Sequence, residues 1–186
     1  MTGPRAFTIA ALGGLGLGLY ALLVRGSLTL DVGIGRTVRP LGPFTWKIAA
    51  PREVVFEVIS SPYLGRTPRA LEGKLRVLER GENMVLVEHF TPVGPVVTTT
   101  LETVGFEPPE RVHFRLVRRP VPSAVEQFHL RETDEGTELE YSGDLGTDLW
   151  ALGRLWGALV APRWEAAVRG SLAAIKAEAE RRAARG

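Results

Sequence analysis

"RVHFRLVRRPVPSAVEQFHLRETDEGTELEY", residues 111–141, is where the fold becomes readable. Three runs alternate apolar and polar residues, and "RRPVPS" and "TDEG" break them. Strict alternation puts every second side chain on one face, as in a half-buried strand, while Pro, Gly, Ser and Asp clusters supply turns. The stretch therefore reads as two consecutive antiparallel hairpins. Pairing Phe114 with Phe128 places Val112 opposite Leu130 and Leu116 opposite Glu126 on one face. Arg111 with Arg131, His113 with His129, and Arg115 with Gln127 take the other. Across the second turn, Leu130 neighbours Leu139 and Phe128 neighbours Tyr141.

The same pattern extends toward the N-terminus. Residues 74–79, 84–91 and 96–106 read as three more strands divided by "GEN" and "TPVGP". Before them "FTWKIAA" alternates, with Phe44, Trp46 and Ile48 on one face. Pro51 then opens a helix whose apolar face is Val54, Val55, Val58 and Ile59, ended by Ser60, Ser61 and Pro62. A second short helix, interrupted by Pro68, fits residues 63–71. At the other end, residues 148–182 read as a long helix, kinked or broken near Pro162. Its apolar positions are Leu149, Leu152, Trp156, Val160, Trp164, Val168, Leu172 and Ile175.

A strand, two short helices, six antiparallel strands and a long C-terminal helix resemble the START-like (SRPBCC) superfamily, with its polyketide cyclase/dehydrase and lipid-transport members. The resemblance covers residues 45–179 and is carried by "WKIAAPREVVFEVISSP", "FEPPERVHFRL", "FHLRETDEGTELEY" and "SLAAIKAEAE". It implies an α+β helix-grip fold: a seven-stranded curved antiparallel sheet wrapped around the C-terminal helix, with a cavity between them. In that reading "IAAPREVVFEVISSP" closes one end of the grip.

The inner face then nominates a site. Phe90, Val112, Phe114, Leu116, Glu126, Phe128, Leu130, Tyr141, Trp156 and Trp164 are the candidate ligand-binding residues. Glu126 is an inward carboxylate, with Arg118 near its end of the face and Tyr141 one strand away. A buried carboxylate is costly unless paired or protonated, so it orients a ligand, acts as an acid or base, or pairs with Arg118 at the cavity mouth. Glu126, Arg118 and Tyr141 are accordingly the candidate catalytic residues. His89 is a further candidate for proton transfer, on a strand whose faces the sequence leaves open. His113, His129 and Glu140 line up on the outer face, but Arg111, Arg115 and Arg131 there repel a cation, and no metal or cofactor is expected.

Composition narrows the classes. The chain has 186 residues, 45% apolar and 24% charged, enough for one domain with an appendage. Net charge is only +2 with acids scattered among the bases, which argues against a nucleic-acid partner. With no cysteine, disulfides, thiolate metal sites and a thiol nucleophile are excluded.

Residues 6–24, "AFTIAALGGLGLGLYALLV", carry no charge and are bracketed by Arg5 and Arg25. As a helix this stretch spans a bilayer's hydrocarbon core, and it lacks a convincing signal-cleavage pattern. The glycines do not make a dinucleotide loop, because Gly14, Gly16 and Leu19 break that spacing. Gly14 and Gly18 stand four apart, which suits self-association in a membrane. The expected organisation is thus an anchor over 1–25, a linker over 26–43 and the folded domain over 44–186. Arg25, Arg36 and Arg39 after the apolar stretch favour a single-pass protein with a cytoplasmic domain.

Three functions fit. A membrane-tethered binding or transfer protein for a hydrophobic small molecule or lipid comes first. A polyketide cyclase/dehydratase-like enzyme using the same cavity is the alternative, and a scaffold with a vestigial cavity is third.

Overall fold

In a computed structural model, the structure describes Gly18, Leu22 and residues 31–65, 67–93, 96–118 and 120–185. Among these, seven strands form one antiparallel sheet: β1 (Thr37–Ile48), β2 (Leu75–Arg80), β3 (Met84–Val93), β4 (Val96–Glu107), β5 (Arg111–Arg118), β6 (Ser123–Thr133) and β7 (Gly136–Thr147). Their order is β1-β7-β6-β5-β4-β3-β2. Five sequential hairpins build the meander, and β1 closes it by pairing with the last strand. Helix α1 (Arg52–Leu64) and a 3-10 turn (Arg69–Leu71) link β1 to β2, and α2 (Trp150–Ala183) follows β7.

One face of each strand is buried because alternate residues are apolar: Val85 and Val87 on β3, Val104 and Phe106 on β4, Val112 and Leu116 on β5, Phe128 and Leu130 on β6, Leu139 and Tyr141 on β7. Register shifts at Leu41/Phe44, Val77/Glu79 and Leu101/Glu102 bend the strands and help curve the sheet. At the first, Gly42 has φ +74°, and a Cβ there would stand 2.9 Å from the Tyr141 carbonyl, so both conformation and space require glycine. The buried side of α2 begins with Gly153, Gly157 and Ala161, whose small size lets the helix backbone approach the end of β7. Trp156, Val160, Trp164, Val168 and Ile175 pack more loosely against the core, and Leu172 is fully buried.

Several expectations are corrected. Of the stretch expected as a linker, residues 37–43 form the start of β1. The hairpin register of β5 and β6 slips by two residues: Phe114 pairs with Glu126, Val112 with Phe128 and Arg111 with His129. A two-residue slip preserves which face each side chain takes. Leu130 with Leu139 and Phe128 with Tyr141 are paired as the sequence predicts. Helix α2 runs unbroken through Pro162, whose i−4 residue Ala158 is exposed, so water can satisfy the carbonyl that loses its partner. Helix α1 likewise includes Pro62 in its last turn, and Leu152 points outward, 65% exposed. No helix of the described residues is long and apolar enough to cross a membrane. The expected anchor over 1–25, and Gly14 with it, lies outside those residues except for Gly18 and Leu22, which are helical and exposed.

The junction of β7 with α2 is fastened to residues 32–36, just ahead of β1. The buried Asp148 carboxylate accepts hydrogen bonds from the Val32 and Gly33 N–H groups, both at 2.8 Å, and from the Arg36 guanidinium at 2.8 Å. The hydrogen bond from Arg36 outweighs burial and holds the Asp148 carboxyl below its ordinary range. A group so depressed adds stability above its unfolded value near pH 4, and this stability is lost as pH falls through the lower folded value. Asp148→Asn is expected to cost about 2 kcal/mol at pH 7 and to lose part of the wild type's acid sensitivity below pH 4. Urea denaturation at both pH values checks this, and equal stability of the two proteins would contradict it.

Candidate functional site

The inner face of the central strands carries a polar cluster that apolar packing does not require. Glu126 enters from β6, Tyr141 from β7 and Trp164 from α2. The Tyr141 hydroxyl and the Trp164 indole N–H, the latter at 2.7 Å, both donate to Glu126 Oε1. Glu126 as a whole residue is 7% exposed, in a largely aromatic and aliphatic setting. Across β7 stands Gly143, where a Cβ would lie 2.9 Å from Glu126 Cγ, so a glycine leaves the room the glutamate needs.

Burial raises the Glu126 pKa to about 7, with the Glu102 charge adding to the rise and the Tyr141 and Trp164 hydrogen bonds opposing it. Burial, with the neighbouring Glu126 charge, likewise pushes the Tyr141 phenol well above its usual range, so it remains a hydrogen-bond donor.

A second chain of polar groups lies on the same face. His89 from β3 sits with Nδ1 3.1 Å from the Glu102 carboxylate of β4 and Nε2 3.1 Å from the Tyr63 hydroxyl of α1. Burial alone would lower the His89 pKa, but the Glu102 charge and hydrogen bond outweigh it and raise it. Burial would raise Glu102, but His89 and a hydrogen bond from Thr100 bring it below the carboxylate range. Glu102 is therefore the ionised carboxylate and Glu126 the one poised to hold a proton. Two carboxyls with pKa values driven apart by environment can divide acid and base roles.

Around these groups the aromatic rows interlock. Phe114 and Phe128 meet edge-on at 5.1 Å, Phe128 and Tyr141 at 5.9 Å, and Phe44 stacks on Tyr141 at 5.5 Å. The Arg169 guanidinium covers the outer side of this stack, 3.4 Å from the Phe44 ring centre.

Of the sequence candidates, the structure brings together Val112, Phe114, Leu116, Glu126, Phe128, Leu130, Tyr141 and Trp164 on the inner side of the sheet. Trp156 also packs against the core, its indole donating to the Pro120 carbonyl at 3.2 Å. Two candidates are placed elsewhere. Arg118 is exposed and pairs with Leu101 beyond a bulge, so the donors to Glu126 are Tyr141 and Trp164. Phe90 follows His89 along β3, so alternation turns it from the inner face, and it helps line a pocket of about 460 Å³ at the edge of the sheet beside β2, with Leu75, Arg76, Val77 and Arg80. On the outer face His113 binds Glu107 at 2.7 Å and pairs with Gln127, while His129 pairs with Glu140.

Glu102 and Tyr63 were missed from the sequence. The signal for Glu102 was present: stepping back by two from Phe106 and Val104 lands on it. Tyr63 follows Pro62, a residue that reads as a helix end, which hid its place on α1.

A model of the family described as polyketide cyclase/dehydrase and lipid transport matches residues 44–180. The backbone resembles the ZhuI aromatase/cyclase from Streptomyces sp. R1128, with a TM-score of 0.60 at 20% identity over 78% of this chain and 96% of that one. It also resembles truncated norcoclaurine synthase from Thalictrum flavum, TM-score 0.60 at 15% identity over 79% and 94%. For the di-domain aromatase/cyclase StfQ of the steffimycin pathway the TM-score is 0.61 at 20% identity, over 81% of this chain and 52% of that one. At these identities the likeness is one of fold. No curated protein matches the chain by sequence.

The raised pKa has a stability consequence. Folding favours the protonated form of Glu126, so this group costs nothing below its ordinary value of 4.5, costs progressively more as pH rises toward 7, and a constant amount above that. Glu126→Gln is expected to remove that alkaline loss, making the variant more stable than the wild type at pH 8 by up to about 3 kcal/mol, with no gain at pH 4. Denaturant midpoints across the range check the sign; a variant weakest at pH 8 would contradict it.

Proposed function

The chain belongs to the polyketide cyclase/dehydrase and lipid transport family, and on that premise we propose that it is an acid–base enzyme acting on an apolar, carbonyl-bearing molecule held against the inner face of the sheet. The observation that carries this reading is the buried Glu126 carboxyl, poised near pH 7 with both of its donors on one oxygen. Oε2 is then the oxygen offered to a substrate. A general acid or base works best when its pKa is close to the operating pH.

For an enolisable carbonyl compound the steps follow from these groups. Ionised Glu126 takes a proton from the carbon next to a carbonyl, forming O–H as C–H breaks. The resulting enolate carbon attacks a second carbonyl within the same chain, forming C–C, and the new alkoxide takes a proton from Glu126. Loss of that hydroxyl as water, with a further carbon-bound proton, gives the unsaturated ring. Tyr141 and Trp164 steady the carboxylate as its charge comes and goes. Phe44, Phe114 and Phe128 offer stacking surface for a flat product. The His89 and Glu102 pair supplies a second proton relay on the same face.

The alternative is binding or transfer of a hydrophobic small molecule or lipid without chemistry, favoured by the aromatic rows and by a Glu126 oxygen already satisfied by two donors. Incubation with a linear poly-β-keto thioester distinguishes the two. The wild type is expected to release a cyclised, dehydrated product, and Glu126→Gln to slow its formation on the order of 100-fold with circular dichroism unchanged. Recovery of intact linear compound from both proteins, bound at equal strength, would leave the binding reading and overturn the catalytic one.

A further inference from the structure

The outward side of the first half of α2 is apolar where a helix on a water-facing surface is normally polar. Leu152, Leu155 and Leu159 are 48–65% exposed, and Trp150 at the head of the helix is 59% exposed. At about 100° per residue, these leucines with Ala151, Ala158 and Pro162 form one stripe opposite the buried Gly153, Gly157 and Ala161. The same spacing puts exposed Arg154 along one border of the stripe and exposed Arg163 along the other, and no acidic residue occurs between Trp150 and Trp164.

Backbone strain holds Trp150 outward. Leu149 and Trp150 have φ values of +70° and +46°, in the left-handed region that non-glycine residues avoid. Their N–H groups bond to the Ile34 and Gly35 carbonyls at 2.8 and 3.0 Å, and a Cβ on Gly35 would meet the Trp150 ring at 2.3 Å. Ile34 and Val32, themselves about half exposed, add apolar surface beside the head of the helix.

We propose that this face lies on the surface of an anionic lipid bilayer. The uncharged stretch 6–24 is of bilayer-spanning length. Seven steps of chain separate Val24 from Asp31, a leash of about 25 Å at full extension. Asp148 pins residues 32, 33 and 36 beside the head of α2, so a bilayer holding 6–24 brings the leucine stripe within reach of its surface. Leucines between flanking arginines, with an exposed tryptophan at the helix head, match the interface, where apolar side chains enter the headgroup boundary and guanidinium groups reach lipid phosphates. Other occupants fit less well. A second copy packed through the same face by a two-fold axis would bring an arginine-bordered stripe against its own like charges. The chain's own apolar stretch does not lie over the stripe at the positions described: Gly18 has no atom within 4 Å of its Cβ position, and Leu22 is exposed. The proposal is independent of the acid–base reading above.

Because the chain has no cysteine, a single one can carry a probe. The full chain with Leu155→Cys, or with Glu82→Cys in the β2–β3 turn as control, is labelled with an environment-sensitive dye. It is then reconstituted into phosphatidylcholine/phosphatidylglycerol vesicles with and without brominated acyl chains. Leu155→Cys is expected to show blue-shifted emission and several-fold greater quenching by brominated lipid than Glu82→Cys. Emission at 155 as water-like and unquenched as at 82 overturns the proposal. So does emission already blue-shifted without lipid: independence of protein concentration then points to the chain's own stretch, and dependence on it to a second copy. A chain that does not associate with the vesicles overturns it as well.

Discussion

A single buried carboxyl joins the two halves of this fold. Glu126 rises from the middle of β6 and receives the Tyr141 hydroxyl from the neighbouring strand and the Trp164 indole from α2. An apolar side chain at 126 would pack without desolvating a charge, and such substitutions in protein cores are often neutral or stabilising. Keeping a carboxyl there costs stability at neutral pH, and the rest of the inner face is arranged around it: Gly143 leaves it room, and Phe128 flanks it along β6. Glu102, His89 and Tyr63 place a second set of titratable groups within electrostatic reach. The acid–base role proposed above is one use for so costly an arrangement.

The sequence made the architecture legible because its signals are local. Alternation over residues 111–141 identified the strands, the breakers identified the turns, and parity told inner from outer side chains. That was enough to bring Glu126, Phe128, Leu130 and Tyr141 to one face. The exact register was not legible: β5 pairs with β6 only up to Arg115, so the connection uses more chain than "RRPVPS" suggests. Parity cannot register a slip of two. Arg118 was misplaced for a different reason: a bulge beside Leu101 adds a residue at the end of β5 and breaks the alternation there. The His89 and Glu102 pair needed two strands aligned across β3 and β4, a long-range fact that no single period contains.

The two ends of α2 serve different purposes. Its second half meets the β1–α1 connection and α1: Lys176 reaches the Lys47 carbonyl, Glu180 accepts from the Ala49 N–H at 3.0 Å, and Arg182 approaches Glu57 at 3.3 Å. These are polar clamps on a helix whose buried residues there are Leu172 and Ala179. The first half instead brings Gly153, Gly157 and Ala161 close to the sheet and turns its leucines outward. Trp164 stands between the halves, so the residue that contacts the candidate catalytic group lies just beyond the apolar stripe. A displacement of that half-helix would reach Glu126 through one side chain.

Burial, moderated by two hydrogen bonds, leaves the Glu126 carboxyl exchanging its proton near neutrality. Carbon-13 NMR of the protein labelled at glutamate side-chain carboxyls, with the Glu126 signal assigned by its absence in Glu126→Gln, reads this directly. That carbon is expected to titrate with a midpoint near 7, well apart from the exposed glutamates. A midpoint near 4.5, shared with the surface carboxylates, would contradict it.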